Sequence, residues 1–211
     1  MTCVASPPTD AWAPLRDDPL GRTRVLVVDD HPAVRAGLRE LLADEADFEV
    51  VAAVSSAEDA LEIARREPID VAVVDYQLGG RNGLWLSRKL KRLPDPPAVL
   101  IYSAYTDGIL AAAAVVAQAD SIVSKGRVGS DLCYAVRRAA ARERHLPTLP
   151  PRLAESLRRR LDNNEQAIFG MLLAGMEPAE VAATLGLSPA AMESQLCELL
   201  RRLEGLPPAP R

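Results

Sequence analysis

Five short apolar runs, rich in β-branched residues, alternate with five stretches of helical spacing between residues 24 and 144. The runs cover 24–30, 48–54, 71–75, 98–103 and 121–125. Continuous apolar runs of this length read as strands buried on both faces. Strands that alternate with helices specify a doubly wound α/β fold with a five-stranded parallel sheet and right-handed crossovers. The helices are read at about 32–42, 84–93, 109–117 and 130–144, with one more carrying Ala57, Ala60, Leu61 and Ala64; Ser55 or Ser56 caps that second helix, and Pro94, Pro96 and Pro97 stop the third.

The polar residues of this region gather at the same end of the strands. Asp29 and Asp30 close the first run, Asp75 the third, Ser103 the fourth and Lys125 the fifth. Strand propensity does not require that coincidence, and ligands of open parallel sheets collect at the carboxyl ends of strands. Each residue alone has a plainer reading: Asp29 as a helix cap, Asp75 as a loop cap, Lys125 as a surface cation. Together, three carboxylates repel one another and suit a hard divalent cation, with Mg²⁺ fitting oxygen ligands that leave room for phosphate. A lysine ammonium offsets an added anion and a hydroxyl donates to it. The set suits an aspartate that accepts a phosphoryl group in line.

Composition narrows the classes. Of 211 residues, 48% are hydrophobic, enough for a real core, and the net charge of −4 gives no whole-chain attraction to nucleic acid. Cys3, Cys133 and Cys197 stand far apart with no C-x-x-C pair, which argues against a disulfide framework or structural zinc. Cys133 and Cys197 read as packing residues. No apolar stretch reaches membrane-spanning length and no signal-peptide pattern opens the chain, so a cytoplasmic protein without a membrane partner is expected. Residues 1–21 hold Pro7, Pro8, Pro14 and Pro19 and read as a flexible tail, with Trp12 its one large apolar group.

Val25-Leu26-Val27-Val28-Asp29-Asp30-His31-Pro32 resembles the opening of receiver domains in two-component response regulators, and His31-Pro32 with Arg35-Ala36-Gly37-Leu38 resembles the NarL/FixJ subfamily. Asp75 followed by Gly83, Ser103-Ala104, and Lys125 match the family's acceptor, switch hydroxyl and lysine. The resemblance implies a receiver over 22–144. It implies Mg²⁺ on Asp29, Asp30, Asp75 and the Gln77 carbonyl, and phosphorylation of Asp75 by a histidine kinase. Ser103 and Lys125 would hold the phosphoryl oxygens. His31 is read as a subfamily helix-start residue rather than a ligand. Two positions depart from the family. Ile122 stands where an aromatic switch residue is usual, so coupling through a ring rotation is not expected. Gly79 replaces a frequent proline, which should loosen its loop. Gln77 and Tyr105 occupy places that tune phosphate lifetime in the family.

Residues 145–151 form a proline-rich linker, and 152–211 read as a small all-α second domain. Asp162 with Glu165 has capping-box spacing, Gly175 ends one helix, Gly186 turns the chain, and Ser188-Pro189 starts the last helix. This layout is a helix-turn-helix. Residues 161–203 resemble the LuxR-type output domain, with Leu161, Glu165, Gly175, Glu180, Val181, Gly186, Leu196 and Leu203 at framework places. The positions expected to face DNA hold Ala179, Ala191, Glu193, Ser194 and Gln195. Residues 161–203 hold two basic residues, Arg201 and Arg202, against six acids. Phosphate neutralisation drives DNA affinity, so such a helix binds weakly unless Arg152, Arg158, Arg159 and Arg160 or a second copy supply the cations. Gln195 retains the chemistry to read adenine.

Three functions compete. The first is a phosphorylation-controlled transcription regulator. The second is a response regulator whose degenerate output domain binds protein instead of DNA. The third, a phosphohydrolase with an aspartyl-phosphate intermediate, lacks the second acid of a D-x-D motif at Asp75-Tyr76-Gln77. A homodimer is also expected, since the apolar helix at 109–117 should leave some of its surface outward.

Overall fold

A computed structural model describes residues 21–127 and 129–205, so the expectations for the tail, Trp12 and Cys3 fall outside the described residues. Five parallel strands form one sheet: β1 (Thr23–Val28), β2 (Phe48–Val54), β3 (Val71–Asp75), β4 (Ala98–Ser103) and β5 (Ser121–Ser124). Their order is β2-β1-β3-β4-β5. The chain reverses its direction of growth between β1 and β3, and a crevice opens at such a switch point.

Five helices cover the two faces: α1 (Pro32–Ala43), α2 (Ala57–Arg66), α3 (Gly83–Leu90), α4 (Gly108–Val116) and α5 (Gly129–Ala140). Successive strand residues alternate between them. Val25, Val27, Val71 and Val73 pack with Leu38 and Leu42 of α1 and Leu132 and Val136 of α5. Leu26, Val28, Val74 and Ile101 pack on the other side with Ala60, Leu84, Leu86 and Leu110. Burial on both faces is why these strands carry continuous apolar runs rather than alternation.

Local chemistry sets the helix ends. Ser56 caps α2 by accepting from Asp59 N at 3.1 Å. Pro32 opens α1 as expected. α5 stops at Ala140, short of 144, because Arg142 turns left-handed at φ 60° and its N–H goes back to Ala139 O. α3 spans Gly83–Leu90, and tighter turns carry 91–93 into Pro94.

Four further helices follow: α6 (Pro151–Arg158), α7 (Asn163–Leu173), α8 (Pro178–Leu185) and α9 (Pro189–Glu204). The Asp162–Glu165 capping box is present, each side chain accepting the other's N–H at 2.9 Å. Gly186 ends α8 at φ 67°, which favours glycine. Phe169, Ile168, Val181, Leu196, Leu199 and Leu203 are buried together.

Residues 145–151 do not run free of the sheet. His145 N donates to Asp120 O at 2.7 Å, and His145 bridges Ser121 in parallel. Leu146 and Leu149 are half-buried against the core.

One expectation about surface is corrected. α4 was expected to leave apolar surface outward, but α7 and α9 of the same chain pack on it, and Leu110, Ala111, Ala112, Ala113, Ala114 and Val116 are buried. That apolarity is consumed within the chain and is no ground for self-association. Among the described residues, no helix is long and apolar enough to cross a membrane.

Candidate functional site

β1 and β3 lie side by side with Val28 opposite Val74, so Asp29 and Asp75 emerge next to each other at the switch point. β4 places Tyr102 opposite Asp75, which puts Ser103 one step beyond it. β5 pairs Ser124 with Ser103, and Lys125 follows. Residues spread from Asp29 to Lys125 thus share one edge because parallel register aligns strand ends.

Lys125 Nζ bridges two acids, lying 2.7 Å from Asp29 Oδ2 and 2.8 Å from Asp75 Oδ2. The side chains of Asp29 and Asp75 are 0% and 4% exposed, so the ammonium faces carboxylates with little water between them. Burial pushes Asp75 above its ordinary value; the Lys125 hydrogen bond opposes this, and the Asp29 charge adds to it. Burial by itself would lower Lys125, but its hydrogen bonds to Asp29 and Asp75 outweigh that and hold the ammonium above its ordinary value.

Backbone donors fix the carboxylates. His31 N reaches Asp29 Oδ1 at 2.8 Å, and Gln77 N reaches Asp75 Oδ1 at 3.2 Å. Gly79 N donates to Asp30 Oδ2 at 3.1 Å. The Gly79 N–H that makes this bond is a donor that a proline there would lack. Gly83 must be glycine, because a Cβ would collide with the Asp75 backbone carbonyl.

Asp29, Asp30, His31 and Asp75 each bring a possible ligand atom within 4.8 Å of the others. No hydrogen bond is formed to the buried Oδ1 of Asp30, although His31 Nδ1 lies 2.7 Å away. An acid oxygen left in this condition beside two more carboxylates fits an oxygen-loving divalent cation. Ser103 is buried, and its Oγ accepts from Tyr105 N at 3.1 Å, leaving the hydroxyl hydrogen to donate. Tyr105 itself is 67% exposed beside the site. Ile122 is half-buried and packs on the α4 side, whereas Tyr102 packs on the α5 side with Lys125 Nζ 5.6 Å from its ring centre.

Residues 25–137 match the family described as the response regulator receiver domain. The chain is a response regulator. The regulator is 29% identical over 189 residues to response regulator UvrY of Escherichia coli K12, covering 85% of this chain and 87% of that protein. It is 32% identical over 180 residues to the transcriptional regulatory protein UhpA of Salmonella typhimurium, covering 85% and 90%. A crystal structure of a LuxR-family two-component response regulator from Aurantimonas sp. SI85-9A1 superposes with a TM-score of 0.57 at 29% identity, over 64% of the regulator and 97% of that chain. These matches make it a two-component response regulator of the NarL/LuxR type.

The positions expected to face DNA are only partly open. Ala179 and Ser194 are exposed, whereas Ala191 and Gln195 are half-buried. Glu193 turns toward the receiver, where it pairs with Arg88 and lies 3.9 Å from Lys89 and 3.3 Å from Arg92. Sequence reasoning marked Glu193 as odd but missed its partners. The run Arg88-Lys89-Leu90-Lys91-Arg92 was the available signal, since it puts four cations within about one helical turn. Cys133 is buried and Cys197 half-buried, in keeping with packing roles.

Proposed function

We propose that the regulator takes a phosphoryl group from a histidine kinase onto Asp75 and controls transcription through α8 and α9. The observation that carries this is the Lys125 ammonium clamped between Asp29 and Asp75 at the strand ends. Asp29, Asp30, Asp75 and the Gln77 carbonyl would hold Mg²⁺, which when bound neutralises charge on the transferring phosphoryl group. An Asp75 oxygen attacks phosphorus in line as the bond to the donor nitrogen breaks. Lys125 exchanges one carboxylate for a phosphoryl oxygen, and the Ser103 hydroxyl donates to another. Phosphoryl uptake from a small phosphodonor should therefore require Mg²⁺, and uptake unchanged in a chelator would reject the metal assignment.

Tyr105 lies two residues beyond Ser103, with its N–H on Ser103 Oγ and its side chain exposed. Its ring should hinder the water that attacks the acyl phosphate, so Tyr105→Ala should shorten the phosphate lifetime several-fold. Phosphate release followed after removal of the donor reads this directly. A wild-type protein that loses phosphate faster than the variant would contradict it.

The transcriptional reading is tested by polarisation binding to genomic fragments over a salt series, with and without a phosphoryl mimic. Few cations serve this face, so binding should be weak and its salt dependence shallow. Absence of binding at low salt in both states would reject DNA as the ligand. A second reading, in which the output helices act through protein contact, is favoured by Glu193, whose carboxylate meets receiver cations instead of solvent.

A further inference from the structure

Strand parity gathers the side chains of Asp29, Asp75, Tyr102 and Lys125 on one face of the sheet. Val27, Val73, Leu100 and Val123 pack on the α1 and α5 side. The strand period of two carries the residues two places further on to that same side. Register sets their order across the edge. Val28 pairs with Val74, so Asp29 neighbours Asp75, and Asp75 pairs directly with Tyr102. Neighbouring strands lie about 5 Å apart, which makes Tyr102 the acceptor's neighbour on the β4 side.

Lys125 reaches back over this row. Its N–H donates to Ser103 O at 2.8 Å, which roots the side chain just past Tyr102. The ammonium then lies over the Tyr102 ring, 5.6 Å from its centre, while it meets Asp29 and Asp75. The Lys125 side chain is 19% exposed and Tyr102 is half-buried, so little water screens the contact. A cation within about 6 Å of an aromatic face is attracted by the ring quadrupole, more strongly as water is excluded. Burial pushes the Tyr102 phenol above its ordinary value, with Lys125 opposing and Asp29 and Asp75 adding to it, so the ring stays neutral.

The partners of Lys125 differ in what phosphorylation does to them. Asp75 commits an oxygen to the bond with phosphorus, and Asp29 would serve Mg²⁺. Lys125 thus loosens from both acids when its charge is needed beside the phosphoryl oxygens. The ring forms no bond to phosphorus and carries no charge for a metal. It is the partner that the reaction leaves unchanged.

We propose that Tyr102 is a positioning residue for phosphoryl transfer: its ring face holds the Lys125 ammonium beside Asp75 while the two carboxylates change partners. The proposal rests on Asp75 as the acceptor, and it gives the role to the ring face rather than to the hydroxyl. A contact that counts for more in the transition state than before it shows in rate.

The test uses the full chain. Lys89, Lys91 and Lys125 are its three lysines, so carbon-13 labelling of lysine gives one ε-methylene signal for each. Ring current should move the Lys125 signal upfield in wild type and in Tyr102→Phe, and Tyr102→Leu should abolish the shift. Lys89, 5.7 Å from the Trp85 ring centre, should keep its own shift in every variant and serves as the control. Initial phosphoryl uptake from a small phosphodonor with Mg²⁺, followed by intact mass, should fall about fivefold in Tyr102→Leu and stay within about twofold of wild type in Tyr102→Phe, the scale of one such contact. In a Lys125→Met background, Tyr102→Leu should slow uptake no further, because the cation through which the ring acts is gone. An unchanged Lys125 signal in Tyr102→Leu, uptake in that variant equal to wild type, a Tyr102→Phe protein as slow as Tyr102→Leu, or the same loss again in the Lys125→Met background would each overturn the proposal. If Lys125→Met does not fold, the other comparisons decide it. Absence of uptake in wild type would reject the phosphorylation reading and this proposal with it, whereas a slow Tyr102→Phe beside an active wild type rejects this proposal alone.

Discussion

Lys125→Ala should lower the stability of the metal-free regulator by about 3 kcal/mol, the scale for removing one partner of a buried ion pair. Lys125 is the cation between Asp29 and Asp75, whose side chains are nearly sealed from solvent. Without it the two carboxylates face each other, with Asp30 close by. Backbone N–H donors from His31 and Gln77 remain, but each serves only one oxygen. For a chain of this size the loss corresponds to about 6–12 °C in Tm. Added Mg²⁺ should restore more stability to the variant than it adds to wild type, because the cation would then offset repulsion that Lys125 otherwise offsets. Thermal unfolding with and without Mg²⁺ measures both effects. Equal melting temperatures for the two proteins in chelator would show that Lys125 does not hold this cluster together.

Much of the receiver is legible in sequence because parallel register converts strand ends into neighbours. Asp29, Asp75, Ser103 and Lys125 each follow an apolar run, and the fold needs no further information to bring them to one edge. The Asp162–Glu165 cap is legible for a similar reason, since both partners lie within one helical turn. The contacts that sequence reasoning missed join residues far apart in the chain. Asn82–Glu204 and Arg88–Glu193 depend on how α9 lies against α3 and α4, and no local period encodes that. One reading changed sign for the same reason: the apolar α4 looked like a face for a second copy, yet α7 and α9 cover it. The Gly79 N–H bond to Asp30 is likewise a contact between residues far apart in the chain.

The second large effect is at Asp75 itself. Asp75→Asn keeps the size of the side chain and removes the nucleophilic oxygen charge. It also removes one of the acids that faces Lys125, so the variant should fold with Lys125 paired to Asp29 alone. Any loss of phosphorylation then reports chemistry rather than unfolding. Other carboxylates near the edge are poor substitutes. Asp29 is fully buried and accepts from His31 N and Lys125, while Asp30 Oδ2 accepts from Gly79 N. The decisive measurement is the intact mass of wild type and Asp75→Asn after incubation with a small phosphodonor and Mg²⁺. Wild type should gain the mass of one phosphate and Asp75→Asn none. Equal gain in both proteins, or no gain in wild type, would contradict the assignment of Asp75 as the acceptor.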